Sequence, residues 1–155
     1  MFHQNEYEWV RQTRRTLLDS CRELEVSDFI RVRELLVHIT DCYIAWLGSF
    51  VLLKTKEPLT PKEDLEKFNL DEIKLRFEQV DLIVYEVFKL HGNQLNEQIQ
   101  RKIPWREVPE TVLLTPGKLL MHTMTHEFHH KGQIVAMIRE MGYIPPNTDI
   151  LGTED

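Results

Sequence analysis

Cysteine is scarce in this chain of 155 residues: Cys21 and Cys42 stand far apart and form no CxxC. Two thiols are too few for a disulfide framework, so they are expected as reduced, small core side chains of a cytoplasmic protein. Long apolar runs are missing too. No stretch reaches the roughly 18 consecutive apolar residues of a membrane span, and the opening Met1-Phe2-His3-Gln4-Asn5-Glu6 has no basic start leading into an apolar run. Neither export nor a membrane partner is expected. An excess of positive charge is also lacking. Twenty-five Asp and Glu outweigh 19 Lys and Arg for a net charge of −6, and Arg11, Arg14, Arg15, Arg31 and Arg33 are interleaved with acids. Nucleic-acid binding, which needs massed cations, is therefore disfavoured. There is no internal repeat or low-complexity tract, and the length suits one domain with its own core.

What the chain does have is helical patterning. From about His3 to Leu24, Tyr7, Val10, Leu17, Leu18 and Cys21 recur at helical spacing. Ser27 is a suitable N-cap, and Asp28 in the first turn complements the dipole of a second helix running to about Leu53. Lys54 to Asn69 is a long charged connector, in which Thr60-Pro61-Lys62-Glu63 matches a capping box for a short helix to about Lys67. Its use is a structural span or a lid. Asn69 caps a third helix whose stripe is Ile73, Phe77, Val80, Val84 and Val87, ending between His91 and Ile99. Ile99 to Leu114, with Pro104, Trp105 and Pro109, reads as an irregular loop that accommodates a small hairpin, because Glu110 to Leu114 has strand-like composition. Thr115 and Pro116 open a fourth helix to Met141, with Gly142 as its C-cap. The segment Tyr143 to Leu151 is apolar enough to dock back on the helices. Four long helices with connectors predict an all-α bundle.

Four of the seven histidines fall in that fourth helix: His122, His126, His129 and His130. With about 100° per residue and His126 as zero, Leu119 and Met137 lie at about 20°, His130 at about 40°, Met141 at about 60° and Ile134 at about 80°. His130 thus sits mid-face and His126 at its edge, while His122 and His129 fall on the flank. Imidazoles one turn apart on one face offer the bite of a divalent metal site, and burying them without partners is costly. Satisfied side chains or a surface cluster are the other readings of the same spacing. In the second helix His38 borders the apolar face with Leu35, Cys42 and Trp46. A lone histidine there is more often a boundary residue. Facing the inward pair, it would complete a set of three imidazoles.

Three phrases carry a family resemblance: Leu36-Val37-His38-Ile39-Thr40-Asp41 with Trp46-Leu47, His126-Glu127-Phe128-His129-His130-Lys131-Gly132-Gln133-Ile134, and Gly142-Tyr143-Ile144-Pro145-Pro146-Asn147-Thr148-Asp149. Together, and in this order, they resemble the DinB/YfiT-like superfamily of damage-inducible four-helix-bundle proteins. The resemblance spans nearly the whole chain. It implies a divalent metal held by one histidine of helix two and an HxxxH pair of helix four, which maps onto His38, His126 and His130. Lys131 stands where family phrases commonly have arginine, at a position expected to be exposed. His122 forms a second HxxxH pair with His126 and is the alternative ligand to His130.

His126-Glu127-Phe128-His129-His130 also matches HExxH of zinc proteases, in which the glutamate activates water. Gln133 and Ala136 occupy the places of the glycine and third histidine of the longer protease motif, which argues against that reading. Three imidazoles leave an open position on the metal, as catalytic sites do. The superfamily includes transferases and isomerases that use bacillithiol, mycothiol or glutathione. The resemblance therefore implies a metal-dependent S-transferase acting on a small-molecule substrate with a low-molecular-weight thiol. A metal-dependent hydrolase and a non-catalytic metal-binding stress-response protein are the alternatives. Glu127, at about 100° on the same wheel, is a candidate base or ligand-orienting group, against the plainer reading of an ion-paired glutamate. His129 is a ligand-orienting or surface group. Gln133 and Asp149 are candidate pocket-lining groups by resemblance. Zn, Ni, Fe and Cu all suit imidazole. Members are often dimers, so a homodimer is implied.

Overall fold

The computed structural model describes residues 3–155. It is mostly helical, with helices α1 (Gln4–Cys21), α2 (Val26–Tyr43), α3 (Leu70–His91) and α4 (Pro116–Glu140) and a two-stranded sheet of β1 (Ile99–Lys102) and β2 (Thr111–Leu114). α2 packs against α3 and α4, and α1 lies against the same two helices. The core between them is made by the expected positions. Tyr7, Val10, Leu17, Leu18 and Cys21 of α1 are buried, as are Ile73, Phe77, Val80, Val84 and Val87 of α3.

Helix ends follow the local chemistry with two corrections. Asn69 Oδ1 accepts the Glu72 N–H at 2.8 Å and Thr115 Oγ1 accepts that of Lys118 at 3.1 Å, so α3 and α4 begin where their caps stand. α2 instead starts before Ser27, with Glu25 as its cap residue. The reason is remote in sequence: Tyr143 Oη accepts the Glu25 N–H at 3.1 Å and donates to Asp28 Oδ2 at 2.7 Å. Thr60 does not cap the short 3-10 helix Lys62–Lys67, which follows Pro61. Its N–H and hydroxyl both donate to Asp41, and Arg76 of α3 bonds Thr40, Asp41 and Thr60, so the connector is pinned to α2 and α3 as a structural span.

Beyond Tyr43 the helix continues to Val51 with π-helical, i to i+5 bonding. Almost every residue in this stretch is buried, and a Cβ on Gly48 would meet Ile83 Cδ1 at 3.1 Å, so the glycine lets α3 approach closely. Val26–Val51 is long and apolar enough to cross a membrane, but 72% of its apolar window is buried inside the fold, where its side chains serve the core. The chain then turns at Leu53, which takes a left-handed φ of 56°.

β1 and β2 pair antiparallel with Ile99 opposite Leu114 and Lys102 opposite Thr111, so the stretch read as an irregular loop closes as a small hairpin. Arg101 Nη1 donates to the Phe50 carbonyl at 2.7 Å, tying the hairpin to the carbonyl end of the π-helical stretch. α4 ends in a Schellman motif: Gly142 at φ 92° donates to Arg139 O, and Tyr143 N–H donates to Ile138 O. The tail docks as expected, but through polar contacts. Tyr143 reaches α2, Gln12 and Glu154 bond reciprocally, and Ile144 and Leu151 stay exposed.

Candidate metal centre

α2 contributes His38, and α4, packed against it, contributes His126 and His130 one turn apart. The Nε2 atoms of His38 and His126 lie 3.0 Å apart, and those of His126 and His130 lie 3.2 Å apart. All three ligand atoms fall within 4.8 Å of one another. With metal–nitrogen bonds of about 2.0–2.1 Å, neighbouring nitrogens on one cation stand about 3.0–3.4 Å apart, so the two short separations match a shared ion. His38 is exposed and the other two are half-buried, so the cluster is open to solvent.

The donor chemistry fits a cation. An imidazole nitrogen carries either one proton or one lone pair, so His126 Nε2 cannot satisfy both short contacts with ordinary hydrogen bonds. One of the two contacts is left without a donor–acceptor pairing of its own, and a divalent ion shared by the three rings would replace it with ligation. His126 Nδ1 is buried with no partner. Burial, followed by the neighbouring imidazoles of His130, His38, His122 and His129, holds the His126 pKa down to about 4. Burial also lowers that of His130, with Gln133 opposing. Both are therefore neutral at ordinary pH, which is the ligating form. His130 Nδ1 lies 2.6 Å from Gln133 Oε1.

The other histidines of α4 stand beside this group. The His122 ring is 5.9 Å from that of His126 and 6.2 Å from that of Trp46, which itself packs on Trp105 at 5.0 Å. The geometry gathers His130, not His122, with His38 and His126. His129 is exposed with its ring 4.9 Å from that of His130. Asp149 organises the tail, its N–H on Asn147 Oδ1 and its carbonyl accepting from Gly152.

Glu127 points elsewhere. It is fully buried, with Oε1 2.8 Å from Arg14 Nε and 3.0 Å from Lys131 Nζ, while Oε2 accepts from Arg14 Nη2 and the Tyr43 hydroxyl. Burial works to raise its pKa, but Arg14 and Lys131 overcome this and hold it at about 2. A carboxylate so engaged, fully buried and with no imidazole among its hydrogen-bond partners, matches the ion-paired reading of Glu127. Lys131 corrects the expectation of an exposed side chain. It is 1% exposed, with Nζ on Thr13 Oγ1 at 2.6 Å and on Val10 O at 3.3 Å. Arg14 also donates to Asp81 Oδ1 at 2.6 Å and to Tyr7 Oη at 3.1 Å, and Tyr7 donates to Asp81 in turn. Two cations and two carboxylates from α1, α3 and α4 thus neutralise one another at the centre of the fold.

This network rotates the reading of α4. Its buried face is carried by Leu120, Thr123, Glu127, Lys131, Ile134 and Ile138, which moves His130 from the middle of the core face to its flank and leaves His126 at the edge. The signal was present in α1, where Arg14 occupies a core slot in the series Tyr7, Val10, Arg14, Leu17, Cys21. Between α1 and α3 a cavity of about 260 Å³ is lined by Arg11, Arg15, Lys74, Asp19, Glu78 and Asp81. It is remote from the imidazoles, and its cations already pair with carboxylates.

A model of the DinB family matches residues 1–155. The uncharacterized protein YizA of Bacillus subtilis (strain 168) is 25% identical over 156 residues, covering 95% of this chain and 91% of that protein. Protein DinB of the same organism is 30% identical over 129 residues, covering 79% of this chain and 72% of its own length. With a match over the full chain and a helical fold that presents a histidine cluster able to hold a metal ion, this protein belongs to the DinB family.

Proposed function

We propose that the chain is a single four-helix-bundle domain that holds a divalent metal through His38, His126 and His130 and acts as a metal-dependent S-transferase for a low-molecular-weight thiol. The observation that carries this reading is the convergence of three imidazole nitrogens at a solvent-open point, with no Asp, Glu or Cys among the described residues joining the group. Such a set leaves coordination positions to small molecules, as catalytic rather than closed structural sites do. A bound divalent cation would supply a Lewis acid that favours the thiolate form of a thiol.

The protein's own residues would do the rest. The neutral imidazoles of His126 and His130 are held unprotonated by burial and by neighbouring imidazoles, among them His38 and His129 for both. His38, exposed on α2, leaves the approach open. In the transfer, the thiol sulfur forms a bond to the electrophilic carbon as the bond to the leaving group breaks, and the thiol proton passes to solvent. Glu127 takes no part, which removes the base that an HExxH hydrolase requires. The reading takes the protein as cytoplasmic and homodimeric, acting on a small molecule without nucleic-acid or membrane partners. Light scattering on the purified chain tests the dimer.

The deciding experiment incubates bacillithiol, mycothiol or glutathione with a generic electrophile such as 1-chloro-2,4-dinitrobenzene, using metal-loaded protein and its His126→Ala variant. A thiol adduct formed faster by the intact protein is expected. Equal rates would refute the transferase and leave metal binding without turnover.

A further inference from the structure

His130 differs from its two neighbours in having its outer nitrogen held. Its Nδ1 lies 2.6 Å from Gln133 Oε1, whereas His126 Nδ1 is buried without a partner and the hydrogen bonding of His38 goes to His126 Nε2. An amide oxygen only accepts, so His130 Nδ1 carries the proton, and a neutral ring then has its lone pair on Nε2. That nitrogen is the one 3.2 Å from His126 Nε2. The i, i+3 spacing on α4 places the amide beside the ring. Gln133 is exposed, so its side chain serves no core packing.

We propose that Gln133 is a positioning residue that fixes the tautomer and ring orientation of His130, so that its Nε2 lone pair faces the other two imidazoles. The effect on cation affinity rests on the metal-binding reading above; the tautomer does not. Groups that hold the far nitrogen of a ligating histidine are worth about 10–100-fold in metal affinity. Gln133→Glu keeps an acceptor at the same reach, and Gln133→Leu removes it from an exposed helical position without altering the core.

Long-range 15N–1H correlation spectra of the metal-free protein report the His130 tautomer directly, and zinc titration by calorimetry reports affinity. Wild type and Gln133→Glu are expected to show protonated Nδ1 and comparable zinc affinity. Gln133→Leu is expected to shift His130 toward protonated Nε2 and to lose about 10–100-fold in zinc affinity, with an unchanged far-ultraviolet circular dichroism spectrum. An unchanged His130 tautomer in Gln133→Leu, or an unchanged zinc affinity, would overturn the inference. If wild type takes up no zinc, the metal reading fails, and the spectra of the metal-free protein still decide the role of Gln133.

Discussion

Replacing Glu127 by glutamine separates a structural carboxylate from a chemical one. The side chain is fully buried and accepts from Arg14, Lys131 and Tyr43. The amide leaves Arg14 and Lys131 buried with Asp81 as the only remaining buried carboxylate of the network. Removing one partner of a buried ion pair costs about 3–5 kcal/mol. For a chain of this size each kcal/mol shifts Tm by about 2–4 °C, so the variant should melt about 6–20 °C lower. Calorimetry on metal-free protein measures this directly, and the Arg14→Gln, Glu127→Gln double variant should recover part of the loss because the two effects are coupled. The difference from wild type should also vanish in acid. The Glu127 carboxyl sits at about 2 in the fold against an ordinary 4.5, so its contribution is complete above the ordinary value and is lost as pH falls through about 2. A Tm unchanged within experimental error, together with lost thiol transfer, would refute the reasoning and restore Glu127 as a base.

Saturating zinc at about 100 times its Kd should add about 2.7 kcal/mol of stability to wild type and nothing to His126→Ala, as read by thermal melts with and without chelator. Burial raises the thiol pKa of Cys21 and Cys42 to about 12. Ellman's reagent should therefore label neither in the folded protein at neutral pH and both in denaturant. Tyr143→Phe removes the hydroxyl shared by Glu25 N–H and Asp28. It should cost about 1–2 kcal/mol in urea unfolding and increase amide exchange at the start of α2.

Helix order and most helix ends were legible because each depends on local spacing: Asn69, Thr115 and Gly142 do in the fold what their chemistry predicts. That His38 lies beside His126 and His130 was implied by the family resemblance, not by spacing. What escaped was everything decided by partners far along the chain. Thr60 had the sequence of a cap, but Asp41 captured it. Ser27 had the right side chain, but Tyr143, from beyond the end of α4, set the start of α2. The face of α4 was misjudged because Lys131 reads as outward, while Glu127 one turn before it, itself paired with Arg14 across the interface, makes it inward. A charge in a core slot can be recognised in sequence only by finding its counterion, and Arg14, which anchors Glu127, lies on another helix.

The π-helical stretch from Ile44 to Val51 divides the chain by its tolerance to changes in length. A wide turn houses more chain per turn than an α-helix, so losing a residue there can be absorbed by reverting to tighter winding, and His38 upstream keeps its place. Between His126 and His130 no such slack exists. One residue gained or lost would swing one ring by about 100° relative to the other and dissolve the pair.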